Sequence, residues 1–131
     1  MRKWINLIES VLPQFVYHGT CVENWAITRV PPSSNLYVTS SRLFAVDYAE
    51  EWAVSDDTPI LVTIPLSAFS EDRFLPNEET LMQHEEGHVP IDKPTGELTW
   101  RDTFQFNGTF VITNFSEADK LKCTVTPVQP S

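Results

Sequence analysis

Phe15-Val16-Tyr17-His18-Gly19-Thr20 reads as a strand that ends at a functional turn. The β-branched and aromatic residues favour extended backbone, and a glycine straight after a histidine lets another backbone or a ligand approach closely. His18 is therefore the first candidate site residue, with a structural hydrogen-bonding histidine as the alternative. Downstream, Thr20-Cys21-Val22-Glu23 fits a capping box, which predicts a short helix over residues 21–28 with Trp25 and Ile27 turned inward. Upstream, Trp4, Ile5, Leu7, Ile8, Val11 and Leu12 recur at helical spacing over residues 2–12, and Pro13 stops that helix.

The next informative stretch runs Tyr37-Val38-Thr39-Ser40-Ser41-Arg42-Leu43-Phe44-Ala45-Val46-Asp47-Tyr48-Ala49, a strand over 36–39 followed by a helix to about residue 53 capped by Ser40 or Ser41. Together with Tyr17-His18-Gly19-Thr20, this order resembles the poly(ADP-ribose) polymerase-like and diphtheria-toxin-like ADP-ribosyltransferases over roughly residues 13–53. The resemblance implies an NAD site bound by His18, Gly19, Thr20, Arg29, Tyr37 and Tyr48. In it His18 would hydrogen-bond a ribose hydroxyl, and the Gly19 backbone would meet the carboxamide where a Cβ would crowd the ligand. Tyr37 and Tyr48 would stack on the nicotinamide, and Arg29, in the Pro31-Pro32 loop, would meet the pyrophosphate or lie in solvent.

Two positions depart from the family pattern. Ala45 stands where many relatives carry a serine. The late strand Gly108-Thr109-Phe110-Val111-Ile112-Thr113 puts Thr109 at the position of the family's glutamate, a carboxylate that would stabilise charge developing at the ribose. Glu78 and Glu79 are the nearest substitutes, so the expected catalytic set is His18, Tyr48, Glu78 and Glu79, with Glu97, Asp102 and Glu117 next in line. As a purely structural pair, Glu78 and Glu79 are acids in the first turn of a helix capped by Asn77.

A second motif, His84-Glu85-Glu86-Gly87-His88, satisfies the pattern H-E-x-x-H, in which two histidines on one helix face bind zinc and Glu85 serves as general base. Gly87 and Pro90 weaken such a helix, and no third ligand accompanies the pair, so no metal is expected. The alternative is an acidic helix end bearing two solvated histidines.

Composition narrows the rest. Eighteen acidic against nine basic residues give a net charge of −9, which repels phosphate backbones and argues against nucleic acid as a partner. The acids come in pairs rather than runs, as solubility requires. Two cysteines without framework spacing point to free thiols, and Cys21, beside His18 at a helix start, is either activated or a small semi-buried core thiol. No apolar run reaches membrane-spanning length and Met1-Arg2-Lys3-Trp4 does not open a signal peptide, so a cytoplasmic protein is expected. Four scattered glycines exclude a phosphate-binding loop, and no nucleophile motif supports a Ser-His-Asp hydrolase.

Ile60-Leu61-Val62-Thr63-Ile64 predicts a strand covered on both faces. Trp100 through Phe106 and 109–114 read as strands, 116–117 begins a short helical turn, and a last strand lies within 121–128, while 76–97 is otherwise unassigned. The expectation is one α+β domain over residues 1–131, with a split, mostly antiparallel sheet of about six strands and short flanking helices. Its expected function is NAD-dependent mono-ADP-ribosylation of a protein partner, by analogy a small phage- or mobile-element-borne effector. The alternatives are an inactive transferase-like interaction or inhibitor protein using its acidic surface, and a small zinc metallopeptidase through residues 84–88.

Overall fold

The computed structural model describes residues 13–27, 35–53 and 57–128. The helix expected over 2–12 and the loop bearing Arg29 lie outside them. The chain is α+β: β1 (Phe15–Cys21), α1 (Val22–Ile27), β2 (Leu36–Thr39), α2 (Arg42–Trp52), β3 (Pro59–Pro65), β4 (Phe74–Leu75), α3 (Glu78–Glu85), α4 (Trp100–Asn107), β5 (Thr109–Ile112), α5 (Glu117–Lys120) and β6 (Thr124–Pro127). The strands form a six-stranded sheet in the order β4-β5-β2-β1-β3-β6, every pairing antiparallel.

The strands make one continuous sheet rather than two, and its narrowest junction is a seam between β1 and β2. β1 meets β3 along seven register pairs but meets β2 at Tyr17 opposite Thr39 alone. His18, the β1 residue after that single pair, stands at the junction between the β4-β5-β2 and β1-β3-β6 halves. Period-two burial sorts the side chains. Val16, Leu36, Val38, Ile60, Val62, Ile64, Phe74, Phe110 and Ile112 pack with Trp100, Phe69 and Phe115 as the main core. Leu61 faces the other way and packs with Ala45, Ala49 and Val128 under α2, so β3 is covered on both sides as its apolar run predicts.

Several expected boundaries move. β1 continues through Thr20, opposite Ile60, to Cys21, so Thr20 is a buried strand residue and its capping box does not form. Residues 100–107 are a helix, not a strand. Thr99 and Asp102 form a reciprocal capping box, Gly108 ends the helix at φ 76°, and Trp100, Thr103 and Phe104 repeat at i, i+3, i+4 toward the core. The β4 edge strand takes the sixth place that 100–106 was expected to fill.

One ionic clamp ties the β4 edge to the C-terminal segment. Arg73 Nη2 donates to Asp119 Oδ2 at 2.7 Å and to the Asn114 carbonyl at 2.9 Å, and its Nε donates to the Thr113 carbonyl at 3.3 Å. Asp119 also caps α5 by accepting from Ser116 N at 2.9 Å. Burial raises the Asp119 pKa, but Arg73, the Ser116 amide and Lys122 outweigh it and hold the carboxyl well below the usual carboxylate range.

Candidate functional site

A cleft of about 590 Å³ opens on the α2 face of the sheet beside the seam. Its walls bring together His18 and Gly19 from β1, Tyr37 from β2, Ala45 and Tyr48 from α2, Glu78 and Glu79 from α3, and Thr109 from β5. Thr20 is not in the lining, nor are Glu97, Asp102 or Glu117, and Arg29 falls outside the described residues. Asp102 is instead the second half of the α4 capping box and is paired with Lys93 at 3.0 Å.

His18 is half-buried at the junction of β1 with β2, and its Nδ1 lies 2.6 Å from the Tyr37 carbonyl oxygen. A carbonyl only accepts, so Nδ1 carries the proton and a neutral ring keeps its lone pair on Nε2. Burial pushes the His18 pKa down, opposed by the bond to Tyr37, which favours the neutral ring. The same bond ties β1 to β2 beside their single register pair. Trp25 stands behind the imidazole, ring centroids 6.2 Å apart, and Lys120 lies 4.9 Å over the Trp25 ring and donates to the Trp25 carbonyl.

At Gly19 the closely approaching group is a backbone, that of α2. A Cβ there would lie 1.8 Å from the Ala45 carbonyl oxygen and 3.1 Å from the Ala49 nitrogen, so the missing side chain is where α2 sits on β1. Ala45 belongs to this contact: it is buried against the strand, the small partner that a close helix–strand crossing requires.

Tyr37 and Tyr48 line the cleft from different elements, both about half exposed, and Phe44 stacks on Tyr48 one helical turn away with centroids 6.5 Å apart. The Tyr37 phenol is pushed up by burial, then by the charge of Glu78 and the hydrogen bond to it. Glu78 and Tyr37 line the same cleft, near enough for the carboxylate's charge to act on the phenol.

Thr109 is held in a closed polar ring. Its Oγ1 donates to Asn107 Oδ1 at 2.5 Å and accepts from Asn77 Nδ2 at 2.9 Å, and Asn107 Nδ2 donates to Thr80 Oγ1 at 3.0 Å. Asn77 caps α3 by accepting from Glu79 N and Thr80 N. The hydroxyl at the strand position where a carboxylate was expected therefore ties down the helix start that carries two carboxylates. Asn77 was legible as a cap, but Thr80, Asn107, Met82 and Gln83 had no signal in the sequence, since their place depends on β5 and α3 meeting in space.

The H-E-x-x-H string does not form a helical ligand pair. α3 ends at Glu85 and Gly87 takes φ 83°, so His84 and His88 do not share a helix face. Both His84 nitrogens are engaged, Nδ1 2.7 Å from Thr95 Oγ1 and Nε2 2.8 Å from the Ile91 carbonyl, which pins the following loop to the helix. Among the described residues no group of three or more His, Cys, Asp or Glu side chains is arranged to hold a metal. Cys21 is buried and its thiol is pushed up by desolvation and then by Asp57, against an activated cysteine and for a core thiol. Among the described residues no helix is long and apolar enough to cross a membrane. A scan against protein-family models and searches of the curated proteins and of the solved structures returned no match.

Proposed function

We propose that the cleft binds NAD and that the chain transfers ADP-ribose from it to a protein acceptor. The observation that carries this reading is the convergence of His18-Gly19, Tyr37, Tyr48 and Glu78-Glu79, distant in sequence, on one cleft of about 590 Å³, within the usual range for small-molecule sites. His18 Nε2 accepts from a ribose hydroxyl. Tyr37 and Tyr48 offer flat faces to the cationic nicotinamide ring, and Glu78, which lines the cleft with Tyr37, is the first choice for the carboxylate, with Glu79 second. As the bond from ribose C1′ to the nicotinamide nitrogen breaks, its electron pair leaves with neutral nicotinamide and positive charge grows on the ribose. A carboxylate there lowers the barrier. The acceptor then bonds to C1′ and loses a proton. The described lining offers no lysine or arginine to the pyrophosphate, so that contact falls to backbone amides or to Arg29.

A specific observation favours a second reading: the hydroxyl at the strand position of the family glutamate is spent on anchoring α3. A chain that kept the cleft and lost the chemistry would be a transferase-like interaction or inhibitor protein. Calorimetric titration with NAD, combined with nicotinamide release in the presence of candidate acceptors, separates the two. The transferase reading expects NAD binding that His18→Ala or Tyr48→Ala weakens by about 1 to 3 kcal/mol. It also expects Glu78→Gln or Glu79→Gln to cut turnover about a hundredfold while NAD affinity stays near wild type. Binding without turnover establishes the inactive reading, and no binding at millimolar NAD overturns both uses of NAD.

A further inference from the structure

Helix α2 is packed inside out. Its small residues face the sheet, Ala45 and Ala49 being 1% and 0% exposed, while Leu43 and Phe44 stand 70% and 57% exposed. The sequence cannot arrange this helix otherwise, because Gly19 admits only a backbone and a methyl at the crossing, and the large residues occupy the remaining faces. Leu43 does not line the cleft and does not cover the core. Its neighbour Phe44 does stand on the cleft wall, so the two form an exposed apolar pair beside the cleft, and covering them would be favourable.

The charges around it choose the occupant. Asp47, Glu50 and Glu51 are exposed on the same helix and make no ion pair among the described residues. Glu78 and Glu79 stand across the cleft, and Met82 beside them is 64% exposed. A second copy joined through the same face would bring like charges together, and an anionic lipid surface or nucleic acid would meet the same repulsion. A basic surface meets attraction instead.

We infer that the outward face of α2, Leu43 and Phe44 flanked by Asp47, Glu50 and Glu51, is the docking surface for a basic protein partner. Apolar side chains of the partner cover Leu43 and Phe44, and its lysines or arginines pair with the acids. Because α2 is a wall of the cleft, the docked partner stands at the cleft mouth, where an ADP-ribose acceptor is needed. Only this identification as acceptor rests on the proposed transferase; the docking itself does not.

The test uses the whole chain without NAD. A short peptide alternating arginine with leucine, and its counterpart alternating glutamate with leucine, are titrated into isotope-labelled protein and followed by amide chemical shifts. The basic peptide is expected to move the α2 resonances first and the acidic one to leave them in place. Leu43→Ser, and separately Asp47→Lys with Glu51→Lys, should each weaken the basic peptide about tenfold. Asp72→Lys with Asp92→Lys makes the same change in net charge elsewhere and should weaken it by less than about twofold. Equal loss in that control, shifts centred on another face, or a dimer in sedimentation that Leu43→Ser disperses would overturn the proposal. Protein that fails to bind NAD yet binds the basic peptide through α2 retains the docking surface and loses the transferase. The reverse result removes the docking surface alone.

Discussion

Gly19→Ala is the sharpest test of how the cleft is built. The change adds one methyl group. At most sites where glycine holds a negative φ, alanine stabilises by roughly 0.4 to 1 kcal/mol by narrowing the unfolded ensemble. Here the new Cβ would lie 1.8 Å from the Ala45 carbonyl oxygen and 2.8 Å from its carbon, against about 3.3 Å for the closest ordinary carbon–oxygen contacts. Relief requires α2 to move about 1.5 Å off β1, and that movement opens the packing of Ala45 and Ala49 against Leu61 and Val128. Overpacking of this kind reaches or exceeds about 3 kcal/mol when backbone must yield, which for a chain of this length lowers Tm by about 10 °C. Urea unfolding followed by circular dichroism reads the loss. A second variant sharpens it. Ala45→Gly leaves the carbonyl in place, so it should not rescue Gly19→Ala and should itself cost about 1 kcal/mol as a glycine in a helix interior. If Gly19→Ala matched wild-type stability within about 0.5 kcal/mol and lost only ligand binding, the glycine would exist for the ligand and the helix-crossing argument would fail.

Thr109→Val removes the hydroxyl that joins Asn77 to Asn107 while keeping shape, leaving both amides short of a partner. A cost of about 1 to 3 kcal/mol is expected, with Thr109→Ser close to wild type; equal stability of Val and Ser variants in chemical unfolding would contradict the ring. Asp119 governs acid stability. Its folded pKa is depressed, so its contribution is complete above the unfolded value of about 3.9 and is lost as pH falls below it toward the folded value. Asp119→Asn should cost about 2 to 3 kcal/mol at pH 7 by leaving Arg73 without its charge partner. The difference from wild type should shrink below pH 4, and a difference independent of pH would show that the pair contributes little.

The parts of the fold legible in the sequence were those set by local chemistry. Ile60–Ile64 announced itself by composition, Ser41 and Asn77 cap the helices they precede, and the tyrosines of β2 and α2 reach one cleft because strand and helix periods direct them there. In Trp100 to Phe106 aromatic and polar residues satisfy a strand pattern as well as a helical one, and the Thr99–Asp102 cap decides for the helix. The role of Thr109 was out of reach. Its partners come from the start of α3 and the end of α4, thirty-two residues before it and two residues before it, and a sequence does not show which distant amides a hydroxyl will meet. Gly19 signals a close approach by either a backbone or a ligand, and the sequence does not say that the backbone is that of Ala45 in α2.

The seam between β1 and β2 makes His18 a joint as well as a contact. With one register pair between the two halves of the sheet, the bond from Nδ1 to the Tyr37 carbonyl is a rivet, and it leaves the lone pair on Nε2 of the neutral ring. An alanine at this position would loosen the hinge line and empty the cleft wall in one stroke, so its effect on affinity would mix two free energies. Asparagine, whose amide can donate to the Tyr37 carbonyl while falling short of a ligand, is the substitution that separates them.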